Sequence, residues 1–128
     1  MFEKLEILQM AQSMASHASL RQNAVSQNIA NADTPGYKAR DVASFTDTYK
    51  GTEDSAALRT TRAGHVGGSN VYSASVTIDS SPGTTSPNGN SVSLEDQMVK
   101  GVEVRREHDL ALAVYKTSMT ILRTSLGR

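Results

Sequence analysis

From Leu94 to Leu126 one row of residues recurs at alternating steps of four and three without a break: Leu94, Met98, Gly101, Arg105, His108, Leu112, Tyr115, Met119, Leu122 and Leu126. Only an α-helix gathers such a row on one side, and a row sustained over this length reads as a coiled-coil-like seam. Val99, Val102, Leu110, Val114 and Ile121 supply a second apolar face. A helix that is apolar on two sides needs more than one neighbour. Leu94, Met98, Leu112, Tyr115, Met119, Leu122 and Leu126 are therefore the candidate assembly seam, with Leu112, Met119 and Leu122 each expected to bury against the N-terminal helix or an adjacent subunit. Arg105 and His108 interrupt the row, either as register-setting contacts or as points where the seam meets solvent. Ser93 precedes the row with Asp96 three residues on, the spacing of a capping box with acids at the positive helix end. A helix over 93–128 follows.

Residues 2–32 read as a second long amphipathic helix. Ile7, Ala11, Met14, Ala18, Val25, Ile29 and Ala32 keep helical spacing, Gln22 fills the step between Ala18 and Val25, and Leu5, Leu8 and Ala15 flank the stripe. At 1.5 Å per residue such a helix is about 45 Å long. The stripe is thin and Ala-rich, so it stabilises little per turn but permits close approach of a partner. In isolation the helix is marginal.

The helix is brought to a halt by Asn28-Ile-Ala-Asn-Ala-Asp-Thr-Pro-Gly-Tyr37. Pro35 has no N–H and drives Thr34 out of the α region, and Gly36 accepts the positive φ of a tight turn. The end is expected near Ala32 or Asp33. Asn28 and Asn31 are three apart and share a face near that end, where their amides can bind exposed carbonyls or a neighbouring chain.

Between the helices lie two further segments. Residues 34–72 are an extended, irregular stretch with Tyr37, Val42, Phe45 and Tyr49 as apolar anchors. Residues 73–92 are rich in Ser, Gly and Pro, the composition of a flexible linker. The expected fold is thus mainly α: N- and C-terminal helices paired as an antiparallel coiled coil around an irregular, partly disordered, possibly β-containing middle. The organisation reads as 1–33, 34–72, 73–92 and 93–128.

Composition narrows the chemistry. Thirteen Lys plus Arg balance thirteen Asp plus Glu, so no global charge favours nucleic acid or an acidic membrane. The absence of cysteine excludes disulfides, thiolate zinc sites and Cys nucleophiles. His17, His65 and His108 show no ligand spacing and read as solvated or interface residues, Asp109 beside His108 reads as a surface pair, and Gly64-x-x-Gly67-Gly68 lacks the context of a phosphate loop. No catalytic, cofactor-binding or metal site is expected. Neither a secretory signal nor a run of the ~20 apolar residues that span a bilayer is visible, which predicts no direct membrane insertion. Leu, Ile, Val and Phe make up roughly 20% of the chain, near the lower edge for a self-sufficient core.

The stretch Asn28–Tyr37, with Asn28, Ala30, Asn31, Thr34, Pro35, Gly36 and Tyr37, resembles the signature that closes the N-terminal helix in bacterial flagellar rod, hook and hook-filament axial proteins. Its continuation, Lys38-Ala39-Arg40-Asp41, is most similar to the FlgB-type proximal rod proteins of the flagellar basal-body rod family. Pro87-Asn88-Gly89-Asn90-Ser91-Val92-Ser93-Leu94-Glu95-Asp96-Gln97-Met98-Val99 resembles the segment opening their C-terminal helix, with Ser93 where the family more often has Asp. Arg59-Thr-Thr-Arg62 with His65-Val66 is a shorter likeness. The resemblance implies a structural, non-enzymatic subunit of the proximal rod, assembling helically to transmit motor torque. It implies copies of itself, other rod proteins, the MS-ring/rod adaptor and the flagellar type III export apparatus as partners. It also implies a place in the periplasm-spanning rod, reached without a cleaved signal peptide. The alternatives are another proximal rod protein of the same family, or a small cytoplasmic coiled-coil adaptor or chaperone.

Overall fold

In a computed structural model of the chain, residues 2–54, 72–79 and 85–127 are described, with side chains over 6–50, 72–79 and 85–127. The elements run α1 (Phe2–Ala30), β1 (Arg40–Val42), α2 (Phe45–Asp54), β2 (Val76–Ile78) and α3 (Leu94–Ser125). The two long helices pack antiparallel: Asn28 meets Gln97, Val25 lies against Gly101, and Arg21 reaches Glu103 and Glu107. As the number falls along α1, it rises along α3. The fold is mainly helical, as the paired 3–4 patterns predict, with a short two-stranded antiparallel sheet set against it.

Both ends of α3 follow from local chemistry. Ser93 is extended (φ −101°, ψ 118°) and its hydroxyl accepts from the Asp96 N–H, as the capping spacing predicts. At the other end Gly127 takes a positive φ of 73°. On α1 regular helix stops at Ala30, two or three residues before the expected end. The chain then turns through Asn31–Asp33, and Gly36 takes a positive φ of 73°.

The α1–α3 contact face is small and partly polar. From α1 it takes Ala11, Ala18, Val25 and Asn28, all buried, with Met14 and Arg21 half-buried. From α3 it takes Gln97, Val104 and Ala111, all buried, with Gly101, His108, Ser118 and Leu122 half-buried. The expected seam is therefore displaced by one heptad position. Gly101, His108 and Leu122 edge the true contact, whereas Met98 (65% exposed), Leu112, Leu126, Leu94 and Tyr115 stand outside it, and Met119 is half-buried. On α1 the stripe holds at Ala11, Ala18 and Val25, but Ile7 and Ile29 at its ends are exposed. Arg21, not Gln22, fills the missing step. The reason is steric: helices that approach closely select Ala, Gly and Ser between them, leaving larger side chains to the flanks.

One flank of the pair is covered. β1 and β2 pair antiparallel, with Arg40, Asp41 and Val42 opposite Ile78, Thr77 and Val76. They lie against α1 over Ala24, Ala39 and Val42, which are buried. α2 was not expected from the irregular composition around it. It is opened by Ser44, whose hydroxyl donates to Asp47 (2.6 Å) and accepts from the Asp47 N–H (3.3 Å), a reciprocal cap. Phe45 and Tyr72 pack edge-on to His17, whose ring is buried and whose Nε2–H donates to the Ala43 carbonyl at 2.7 Å. His17 is thus a core residue, not a solvated or intersubunit one.

Candidate functional site

Three features concentrate the polar chemistry of the described residues, and all three face inward. The first is the signature turn. Asn28 is fully buried and uses every hydrogen-bonding capacity of its amide. Its Nδ2 donates to the Arg40 carbonyl (2.7 Å) and to Gln97 Oε1 (2.9 Å). Its Oδ1 accepts from the Arg40 N–H (2.9 Å) and, more distantly, from the Tyr37 hydroxyl (3.4 Å). One side chain thereby joins α1, β1 and α3. Asn31 behaves differently: its amide donates to its own Gln27 carbonyl and its Oδ1 accepts from Thr34 Oγ1.

The second feature is the loop before α3. Asn90 is 1% exposed and donates through Nδ2 to the carbonyls of Asn31 (2.9 Å), Ala32 (2.7 Å) and Thr34 (2.9 Å). These carbonyls belong to the turn that follows α1; those of Asn31 and Thr34 also accept from the Thr34 and Tyr37 N–H groups, and Asn90 reaches all three from almost sixty positions away. Around this contact Gly36 N–H donates to Asn88 O, Ser91 N–H to Tyr37 O, Ala39 N–H to Ser91 Oγ, and Lys38 Nζ to Gly89 O. Gly89 has φ +83°, and a Cβ there would stand 3.5 Å from the Gly36 Cα. Residues 86–92 therefore depart from the linker reading. Their Pro, Asn and Gly make a turn (Gly89 N–H to Ser86 O, 2.8 Å) that docks on the signature. Residues 76–78 of the same segment are a strand, and 80–84 lie outside the described residues, as do Arg59, Arg62, His65 and Val66.

The third feature is a charge network fastening the two-stranded sheet to both helices. Lys100 Nζ contacts Asp41 Oδ2 (2.8 Å) and Asp79 Oδ2 (2.6 Å), while Arg21 contacts Asp41 Oδ1 and Glu107 Oε1, each at 3.2 Å, and Glu103 at 3.8 Å. Burial pushes the Asp41 carboxyl upward. Hydrogen bonds from Lys100 and the Val42 N–H, with the charges of Lys100 and Arg21, outweigh that and hold it below its ordinary value. Burial likewise pushes Lys100 downward, and bonding and charge from Asp41 and Asp79 reverse it, raising the ammonium above its ordinary value. The two directions agree: each group stabilises the ionised form of the other.

The outward faces are the reverse. Val99, Val102 (72% exposed), Leu110, Ile121 and Leu126 project from α3, and Ile7 and Ile29 from α1. On the flank opposite the sheet, Ile29, Gln22, Met98, Val102 and Arg105 line an open groove of ≈710 Å³ between the helices. Its Arg105 wall is exposed and its His108 wall half-buried, so neither interruption of the seam lies at the centre of the helix contact. Among the described residues no group of three or more His, Asp or Glu side chains is placed to hold a metal ion.

A helix pair with polar groups spent on its own closure and large apolar groups turned outward has the build of a structural subunit. The comparisons with known proteins agree. A family model described as flagella basal body rod protein matches residues 8–38, from the second turn of α1 through the signature turn. The flagellar basal body rod protein FlgB of Agrobacterium fabrum is 30% identical over 119 residues, covering 90% of this chain and 88% of that protein. The protein of the same name from Cereibacter sphaeroides is 30% identical over 106 residues, covering 83% and 82%. The chain belongs to the flagellar basal body rod protein family.

Proposed function

We propose that the chain is a structural subunit of the proximal rod of the bacterial flagellar basal body. It packs side by side with copies of itself and with other rod proteins, carries motor torque through those contacts and does no catalytic chemistry. The observation that carries this reading is the outward placement of Met98, Val99, Val102, Leu110, Ile121 and Leu126 on a chain of this family. Their exposure is costly in water, and burying each contributes about 1.5–3 kcal/mol. Met98, Leu112, Met119 and Leu126, outside the intramolecular contact or at its edge, belong to the intersubunit seam, joined at its margin by Leu94, Tyr115 and Leu122.

The finer reading follows the family. The MS-ring/rod adaptor is a neighbour, the flagellar type III apparatus exports the chain without a cleaved signal, and the rod that receives it spans the periplasm. No helix among the described residues is long and apolar enough to cross a membrane. The test is quantitative detection of the chain in purified basal bodies from motile cells. A rod subunit co-purifies in fixed ratio to the other rod proteins, whereas a cytoplasmic adaptor or chaperone is left in the soluble fraction.

A further inference from the structure

The contact between α1 and α3 has an unusual weakness. Its apolar members are Ala11, Ala18, Val25, Val104 and Ala111, with Gly101 facing Val25. These residues repeat at heptad spacing and differ little in size. Sliding one helix past the other by seven residues, about 10.5 Å, would set Ala18 rather than Val25 against Gly101 and lose little apolar contact. Packing alone therefore discriminates poorly between registers. What a slip would destroy is polar: the Asn28–Gln97 bond at 2.9 Å, the Arg21 contacts to Glu103 and Glu107, and the Lys100 contacts to Asp41 and Asp79. In a pair so slipped Gln97 would lie opposite Arg21, and Asn28 would lie opposite Asn90, ahead of α3, so the buried Asn28–Gln97 bond would be lost, the kind of polar pairing by which single residues select coiled-coil register. Asn90 adds a second condition. Its bonds to the Asn31, Ala32 and Thr34 carbonyls tie the start of α3 to the end of α1. The few residues between Asn90 and Leu94 leave no slack for α3 to shift by a heptad while Asn90 stays seated.

We propose that Asn28 with Gln97, and Asn90 on the carbonyls of the turn that ends α1, form a two-point register lock. The lock makes one alignment of the helix pair, and hence one arrangement of its outward apolar rows, the only one populated. The signature turn is thus read by the chain's own residues 86–92 and 97. This inference concerns the folded chain by itself and does not depend on what the chain assembles into.

The chain has no cysteine, so engineered pairs report register without background. In the full-length protein, Val25→Cys with Gly101→Cys tests the native alignment. The pair Ala18→Cys with Gly101→Cys tests the alignment slipped by one heptad, since a disulfide needs Cα atoms within about 7 Å. Intramolecular product is read by gel mobility after mild oxidation in dilute, sucrose-stabilised solution, with helicity followed by circular dichroism. The native pair closes and the slipped pair does not, by at least tenfold. In the Asn28→Leu, Gln97→Leu background helicity is retained and the slipped pair closes at a rate comparable with the native one. Asn90→Ala alone raises slipped product severalfold. Exclusive native closure in both backgrounds would overturn the lock, because packing would then be selecting register. Equal closure of the two pairs in the parent would also overturn it. So would loss of helix in the Leu, Leu background, which would make the polar layer a requirement for folding itself.

Discussion

Replacing Asn90 isolates the capping half of this architecture. Its amide supplies two N–H donors shared among three carbonyls, and its Oδ1 accepts from the Val92 N–H at 2.8 Å. Taking about 0.5–1.5 kcal/mol net for each of three hydrogen bonds gives about 1.5–4.5 kcal/mol for Asn90→Ala. Water can reach some of the freed groups, because Thr34 is exposed and Asn31 and Ala32 are half-buried, so a loss toward the lower end, about 1.5–2 kcal/mol, is expected. Asn90→Asp keeps the shape but points a carboxylate at three carbonyls at the negative end of α1, which disfavours it by a further ~0.3–1 kcal/mol. The expected order of stability is parent, then Ala, then Asp. With urea slopes of about 1–3 kcal/mol per molar, Asn90→Ala moves the midpoint down by about 1 M, measured in sucrose so that a pair with so small a core remains folded. The Asp variant has a second signature. Its protonated carboxyl can again donate, so its deficit shrinks as pH falls. An Asp variant more stable than Ala at neutral pH, or an Ala variant indistinguishable from the parent, would refute the capping role.

The remaining predictions use the same chain. Asp41 is held below its ordinary value near 3.8, so its stabilisation is full above that value and lost as pH falls through the lower folded one. Lys100 is raised, so its share is full below 10.5 and lost as pH rises through the higher folded value. Urea midpoints against pH should therefore be flat between those limits on this account, and Lys100→Met should abolish the alkaline fall. Gly89→Ala forces a side chain into positive φ beside Gly36 and should cost about 1–2 kcal/mol in the same assay. On the outward faces, Met98→Asp or Val102→Asp should leave the lone chain within about 0.5 kcal/mol of the parent yet deplete it from purified basal bodies. Leu112→Asp and Leu122→Asp should be exported and excluded likewise, Leu122→Asp also weakening the lone chain. Lys116→Asp should be milder in the basal-body assay.

The parts legible in the sequence are those written in adjacent residues. The two long helices, the Ser93 cap and the positive φ of Gly36 each depend on a window of a few positions. The phase of α3 was not legible, for a physical reason. Helix-pairing patterns are read from large apolar residues, and in this chain those residues face outward, while the inner row is Gln97, Gly101, Val104 and Ala111. The Ser44–Asp47 spacing did announce α2 but was hidden in a segment of irregular composition. Three-residue strands carry too little alternation to register. The docking of Asn90 on α1 and the bridging of Arg21 and Lys100 join partners between twenty and eighty-six positions apart. No local pattern encodes such pairings. Pro87-Asn88-Gly89-Asn90 reads as linker only because its bonding partners lie elsewhere in the chain.

The central claim is that the outward apolar rows of α1 and α3 are assembly faces of a rod subunit. A density map of the intact proximal rod, at a resolution that places side chains, tests it most directly. The account predicts α1 and α3 paired as described, with Asn28 on Gln97, and with Met98, Val102, Leu110 and Leu126 each covered by a neighbouring subunit. A rod in which these residues face open solvent, or from which this chain is absent, would contradict it.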